Sequence, residues 1–437
     1  MNTLILDGSH AGDPMPAKVT PALLAQVQAR GWRAETLVLR EQKIGNCAGD
    51  FFCWVRSPGV CNTDDDNRVI AAKMVQSQLV VYLTPVTFGG YSSALKQMVD
   101  HQIQNISPFF ASVDGEIHHQ PRYAAYPNLL AIGWIDAPNA QAEAVFRRLV
   151  RRNAINMHAQ TSVCGVVTGA SAEAELFAQA GSWLEAIARG TPSPAPDLPG
   201  ESSPIGEAGP ARRAVLLVGS PRTRKSTSAS LGSYLMAQLA ARGVETTTLQ
   251  IYTSFSSTER TRAALEIVDA ADLVVLAFPL YVDSLPAPVI AALEKMAAHR
   301  AGRAGAQRFA AIANCGFPEA AHNATALAIC AEFARQSGLA FAGGLALGGG
   351  EGLVRGVPLD EMDGRALPIK RSLDLAAAAL AEGKPIPPAA RDLLARPVIP
   401  NWLYRLGGGF GWKQRARKYG MEKNLKRRPY AGLNSEA

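Results

Sequence analysis

The chain has 437 residues, 48% of them hydrophobic and 19% charged, which is more than one ordinary domain and far too apolar for a disordered polymer. Its net charge of +7 is uneven: from residue 391 onward 11 Lys and Arg stand against three Asp and Glu, so the body is near neutral and only the end is basic. Six cysteines are too sparse for a disulfide framework, and no apolar run long enough for a transmembrane helix occurs.

Met1 to His10 carries no basic leader and reads as the opening of a cytoplasmic protein. Leu4-Ile5-Leu6 predict a strand, Asp7-Gly8-Ser9 its turn, and the amphipathic stretch ending at Ala29-Arg30-Gly31 a helix. A segment containing Cys47, Cys53 and Cys61 follows, then a second apolar strand from Leu79 to Pro85. His118 and His119 are adjacent, and adjacent side chains of an extended chain face opposite ways, so they are not expected to share a metal. They read as a loop feature beside a substrate pocket. Leu129 to Trp134 and Val163 to Val167 complete a first set of strands. Residues 190–210, rich in Pro, Gly and Ser, predict an extended linker.

Beyond the linker the pattern starts again. Val215-Leu216-Leu217-Val218-Gly219-Ser220 matches Leu4 to Ser9 at an offset of 211 residues, and Ala241-Arg242-Gly243 matches Ala29-Arg30-Gly31 at 212. Leu273 to Pro279 matches Leu79 to Pro85 at only 194, so the cysteine segment reads as an insertion of the first copy. Phe309 to Ala313 and Phe341 to Leu347 supply the last strands. Short apolar runs alternating with helical stretches require a parallel sheet covered on both faces, so each copy is predicted to be a doubly wound α/β domain of about five strands. The expected organisation is a first domain over 1–189, the linker, a second domain over 211–385 and a basic, aromatic extension over 386–437.

In such a sheet, ligands lie beyond the carboxyl ends of the strands, beside the first one. The first turn of the second copy is Gly219-Ser220-Pro221-Arg222-Thr223-Arg224-Lys225-Ser226-Thr227-Ser228, ahead of a helix holding Leu231 to Ala241. Hydroxyls, cations and a helix N-terminus make an anion site; Ser226 or Thr227 as a plain N-cap is the simpler alternative. Arg224 stands before Lys225 where a nucleoside-triphosphatase loop needs glycine, and a single glycine does not satisfy G-x-G-x-x-G. Gly348 to Gly352 lies after the last strand and does not substitute for it. A monophosphate such as that of FMN remains. The loop Pro279-Leu280-Tyr281-Val282-Asp283-Ser284-Leu285-Pro286 places an aromatic residue and stiff prolines where a flat ring would lie. Asn314-Cys315-Gly316-Phe317-Pro318-Glu319 offers backbone amides to ring oxygens and N5.

These three segments together resemble the flavodoxin-like NAD(P)H-dependent FMN reductase superfamily, over residues 211–380. The resemblance implies an α/β chain of two tandem flavodoxin-like, doubly wound, five-stranded parallel-sheet domains with a basic C-terminal extension, FMN as cofactor and NAD(P)H as co-substrate. It implies that Ser220, Arg222, Ser226, Thr227 and Ser228 hold the FMN phosphate. Pro279, Leu280, Tyr281 and Val282, with Asn314, Cys315, Gly316 and Phe317, would frame the isoalloxazine. No side chain is required as a general acid, because the flavin carries the chemistry.

In the first copy, the run from Cys47 through Cys53 to Cys61 with Asp64-Asp65, and the run from Thr84-Pro85 to Lys96, are similar to the iron-sulfur flavoprotein and multimeric flavodoxin branch. In that branch four cysteines hold a [4Fe–4S] cluster, but Asp50 stands where the second is expected, and three thiolates fall short of the four a cubane takes. Zinc is disfavoured by the wide spacing. No metal is expected, and the thiols read as a remnant near an interface, with at most one redox-active pair. The turn from Gly8 to Thr20 has lost the hydroxyl cluster and carries Asp13, which repels a phosphate, and Thr87 stands in place of Tyr281, although Phe88 and Tyr91 remain nearby. The first domain is therefore expected to hold no FMN and to act as a built-in pseudo-partner, in a homo-oligomer or an intramolecular pseudo-dimer.

The predicted activity is FMN-dependent NAD(P)H oxidation with a quinone-like or other small electrophilic acceptor. The alternatives are an electron carrier served by a partner reductase and a non-catalytic interaction protein on a worn scaffold. The extension interleaves Trp402, Leu403, Tyr404, Leu406, Phe410 and Trp412 with Lys413, Arg415, Arg417 and Lys418. Such a segment packs its aromatics on the body or lies on an anionic membrane surface. Nucleic acid is disfavoured, because no nucleic-acid module accompanies it.

Overall fold

A computed structural model describes residues 1–200, 209–303, 305, 307–397 and 400–431. Of the expected linker, residues 201–208 therefore lie outside the described residues. The chain divides into two units, one made of Met1–Leu198 with Trp402–Ala437, the other of Pro199–Asn401.

Among the described residues the first unit has seven strands, β1 (Asn2–Asp7), β2 (Arg33–Val38), β3 (Leu79–Pro85), β4 (Ile106–Val113), β5 (Glu116–Pro121), β6 (Asn128–Ile135) and β7 (Ser162–Thr168). Five make a parallel sheet in the order β2-β1-β3-β6-β7. The register sets Leu4 beside Glu35 and Val80, and Leu83 beside Ile132. The inner strands are apolar at nearly every position because both faces are covered: Ile5, Val81 and Leu130 are fully buried under helices that contribute Val19, Leu23 and Leu184. β2 forms one edge and stays exposed or half-exposed along its length, with Arg33 and Glu35 on it; charge on an edge strand discourages pairing with another chain.

The second unit repeats the plan with β8 (Arg213–Val218), β9 (Glu245–Gln250), β10 (Leu273–Pro279), β11 (Arg308–Asn314) and β12 (Ala340–Leu347), in the order β12-β11-β10-β8-β9. Numbered within each unit and leaving out the hairpin, both sheets run 2-1-3-4-5, and the tandem α/β organisation read from the sequence holds. The helices Thr227–Ala240 and Leu367–Ala381 cover one face, where Leu231, Leu235, Leu373 and Leu380 pack on Leu216, Val275 and Ile312. The connection from β2 to β3 spans residues 39–78, against 251–272 in the second unit, and the extra length holds the three cysteines.

One expectation needs correcting. His118 and His119 lie not in a loop but on β5, which pairs antiparallel with β4 across the Asp114-Gly115 turn. Asp-Gly at the tip, both residues with positive φ, is the common two-residue hairpin solution. The two rings do diverge, as alternation demands: His118 Nδ1 meets Asn156 Oδ1 at 2.8 Å, while His119 lies between Trp54 and Phe110.

The C-terminal helix Asn401–Arg417 and the turn after it go with the first unit. Trp412 packs edge-on against Phe51 and Trp54, with centroids 5.2 and 4.9 Å away, and Tyr404 lies 5.1 Å from Phe110. Cys53, Val55, Ile106, Ala416 and Leu425 form one small core beneath them. Arg415 stacks over Trp412 at 4.9 Å. The buried Arg122 guanidinium donates to the carbonyls of Ile106, Leu425 and Arg427, the last at 2.7 Å, and Arg428 Nε returns a bond to Arg122 O. Leu403 and Phe410 stay exposed on this helix. Among the described residues, no helix is long and apolar enough to cross a membrane.

Candidate functional site

In the second unit, β8, β10 and β11 end side by side, and the three loops singled out from the sequence open from those ends. Gly219 N donates to Ala277 O at 2.8 Å, which fastens the first turn to β10. Ser226 is the N-cap of the helix Thr227–Ala240: its Oγ accepts from Ala229 N and donates to Thr223 O. Ser228 Oγ accepts from Asn314 Nδ2 at 2.8 Å, so the turn after β8 and the end of β11 are joined by side chains. Ser220, Ser226, Thr227 and Ser228 are buried, whereas Arg224 and Lys225 are exposed at the rim.

The glycine run set aside in the sequence returns to this place. Thr227 Oγ1 donates to Gly350 O, and Glu351 receives Arg222 Nη1 at 2.9 Å on both carboxylate oxygens. A Cβ at Gly350 would lie 3.1 Å from Thr227 and 3.3 Å from Asn314; one at Gly356, whose φ is +76°, would lie 2.6 Å from the Lys225 carbonyl carbon. A side chain at Gly356 would meet backbone and strain the turn, and one at Gly350 would have to shift Thr227 or Asn314 by a few tenths of an ångström. Val354, Leu359 and Ala366 anchor the segment in the core. Sequence reasoning missed Glu351; the signal was an acidic residue inside a glycine-rich stretch that itself follows a strand of the sheet.

The ring loop closes on itself through Tyr281 N to Ser284 O at 2.9 Å and the reciprocal bond at 3.1 Å, with Val282 and Asp283 at positive φ. Leu280 N donates to Asn314 O, which ties this loop to the third. Cys315 N is taken by Leu347 O at 3.0 Å, so that amide continues the sheet, whereas Gly316 is exposed with open space where a side chain would be. Tyr281, Val282 and Phe317, on the two loops, are half-buried. Burial pushes the Cys315 thiol up to about 12, so it stays protonated.

The donors present suit a flavin mononucleotide. A helix N-terminus, the Ser220 and Ser228 hydroxyls, which accept from Arg222 N and Asn314 Nδ2 and keep a proton to donate, and two exposed cations match a monophosphate. Ser284 is fully buried in the ring loop, and its Oγ meets no partner among the described residues; such a group is costly unless something bonds it.

The first unit fills the same place with its own carboxylates. Asp13 Oδ1 accepts from Met15 N at 2.9 Å and its Oδ2 from Trp134 Nε1 at 2.9 Å. Asp7 accepts from Ser9 N, and Ser9 Oγ is taken by Arg40 at 2.7 Å. Phe88 and Tyr91, the aromatics left in this ring loop, are buried, and Tyr91 packs edge-on against Tyr82 and Phe146. Cys47 and Cys61 are half-buried and Cys53 is buried. Asp50, in the place of the missing cysteine, accepts from Phe52 N. Among the described residues the three sulfur atoms do not gather as a metal-ligand group.

The model of the family described as NADPH-dependent FMN reductase matches residues 1–115 and 212–335. Among solved structures, the NAD(P)H:quinone oxidoreductase from Methanothermobacter marburgensis is similar at 13% identity over 39% of this chain and 96% of its own, with a TM-score of 0.30. An FMN-dependent NADH-azoreductase from Bacillus anthracis is similar at 13% identity over 39% of this chain and 99% of its own, with a TM-score of 0.27. No curated protein matches the chain.

Proposed function

The chain belongs to the NADPH-dependent FMN reductase family as a tandem duplication, and we propose that its second unit carries the flavin site while the first has given up its own. Membership makes the protein an oxidoreductase that uses FMN with NAD(P)H as electron donor. When bound, FMN supplies a ring that takes hydride from the nicotinamide and hands electrons to the acceptor. The chain's own residues bind and orient it.

The observation that carries this reading is the contrast between the two first turns. In the second unit, Ser220 and Ser228 with the helix N-terminus form a phosphate cradle that Thr227 braces through its bond to Gly350 O, and Arg224 and Lys225 draw the anion in. In the first unit, Asp7 and Asp13 hold the corresponding amides. Pro279 to Val282 supply one wall for the ring, and Asn314 to Phe317 the other, with Gly316 admitting close approach. The half-buried Tyr281, Val282 and Phe317 give the mouth an apolar, flat lining, which suits a planar quinone-like acceptor better than a charged or bulky one. A cytoplasmic setting agrees with six cysteines that are all free.

The purified protein is expected to carry one FMN per chain and to oxidise NAD(P)H with a benzoquinone when no other protein is present. Two FMN per chain would restore the first unit to the flavin chemistry. Flavin without NAD(P)H oxidation would make the chain a carrier that depends on a separate reductase.

Glu351 competes with the phosphate for Arg222. The substitution Glu351→Gln keeps the shape of the segment and frees the guanidinium, so the FMN dissociation constant is expected to fall on the order of threefold to tenfold at low salt, with less gain as salt rises. Fluorescence titration of the apoprotein reads this directly; weaker binding would mean that the pair holds the cradle in shape rather than competing with it.

A further inference from the structure

Of the three thiols on the insertion, Cys61 is set apart by its neighbour. Its Sγ lies 3.5 Å from His101 Nδ1, and the other ring nitrogen, Nε2, donates to Gly45 O at 2.8 Å. That second bond keeps a proton on Nε2, so the neutral ring presents the Nδ1 lone pair to the thiol. The Cys61 backbone is pinned as well: its N donates to Gln104 Oε1 at 2.9 Å and its O accepts from Arg68 Nε at 2.9 Å. A thiol, a base within reach and a third group that orients the base form the arrangement that activates a nucleophile.

The surroundings single out the same sulfur. Burial works against a Cys61 thiolate, but the hydrogen bond and charge of His101, with bonds from Thr63, outweigh it and hold the thiol below its ordinary range. His101 is raised in turn: burial opposes its charge, and its bonds to Cys61 and Gly45 prevail. Burial, with Asp100 next in weight, pushes Cys47 up to about 12, and burial drives Cys53 well above the usual thiol. The titratable groups facing the pair are Asp100, Asp65, Cys47 and Cys53, with Tyr430 from the C-terminal turn. Cys47 feels the charge of Cys61, is half-exposed, and lies on residues 43–50, which form neither helix nor strand.

We propose that Cys61 is an oxidisable nucleophile that takes hydroperoxides, with His101 as its base and Cys47 as the thiol that closes the product into a disulfide. The Cys61 sulfur attacks one peroxide oxygen; the S–O bond forms, the O–O bond breaks, and the proton taken up by His101 goes to the departing oxygen, leaving a sulfenic acid and water or an alcohol. The Cys47 sulfur then attacks the Cys61 sulfur; the S–S bond forms, the S–O bond breaks, and the Cys47 proton leaves with the hydroxyl as water. Two electrons pass from the two thiols to the peroxide. None of these steps depends on FMN in the second unit.

The test treats the full-length protein with one equivalent of hydrogen peroxide, blocks remaining thiols with iodoacetamide and maps the peptides by mass spectrometry. A Cys47–Cys61 disulfide is expected in the wild type, a trapped Cys61 sulfenic acid in Cys47→Ser, and neither product in Cys61→Ser. At pH 6.5 the untreated wild type is expected to alkylate at Cys61 at least about tenfold faster than at Cys47 or Cys53, and His101→Gln to remove most of that lead. The wild-type rates decide the matter even if His101→Gln does not fold. Equal rates at the three cysteines, a disulfide between another pair, or a stoichiometric metal on these residues would overturn the proposal.

Discussion

Arg224→Asp is expected to weaken FMN binding at the site proposed for the second unit while leaving its fold intact. Arg224 aligns with Asp13 of the first unit at the 211-residue offset of the repeat, so the substitution writes the first unit's electrostatics into the second. The side chain is exposed and outside the helix, which keeps the folding cost small. Turning a cation into a carboxylate beside a phosphate changes attraction to repulsion, and a weakening of FMN binding on the order of tenfold or more is expected at low salt, with a smaller effect at high salt. Arg224→Gln falls between the two. Flavin content after gel filtration, with the melting temperature of the apoprotein as control, reads the outcome. Unchanged binding would remove Arg224 from the cradle and leave the hydroxyls and helix N-terminus as its whole basis.

Arg122→Met releases the C-terminal turn from the first unit. The guanidinium satisfies the carbonyls of Ile106, Leu425 and Arg427 in a buried position, and each unmet buried acceptor costs about 1 kcal/mol or more. A loss of roughly 3 kcal/mol from the docking of this segment is expected. Trypsin then cuts after Arg415, Arg417 or Lys418 at a protein concentration and time that leave the wild type whole, and the emission of Trp412 shifts to the red as it leaves Phe51 and Trp54. Flavin content stays the same, because the residues proposed to hold it belong to the other unit. A protease-resistant variant would mean that the aromatic contacts alone hold the segment.

The sheets were legible in the sequence because a strand buried on both faces writes itself as a short unbroken apolar run; Leu79 to Leu83 and Leu273 to Phe278 are of strand length, rich in valine and closed by proline. The loops of the second unit were legible as well, since hydroxyls and cations at a strand end have few structural uses. What escaped were contacts between residues far apart in sequence. Glu351 reaches Arg222, and His101 reaches Cys61, only after the chain has folded, and neither pairing has a local pattern. The β4–β5 hairpin was missed although Asp114-Gly115 announced it, because the flanking runs carry histidines and serines rather than steady apolar alternation. The aromatic tail was ambiguous for a different reason: Trp412 suits a protein core and a membrane surface equally well by composition, and only its packing against Trp54 shows which partner it has here.

The first unit is discontinuous: Trp412, Ala416 and Leu425 join a core whose other members, Cys53, Trp54, Val55 and Ile106 among them, precede the whole second unit in the chain. During synthesis, which proceeds from the N-terminus, the cysteine segment therefore waits for Trp412, Ala416 and Leu425 until the whole second unit has been made. A chain that ends early at any point before Arg428 has a complete second unit, once that is made, and an unfinished first one.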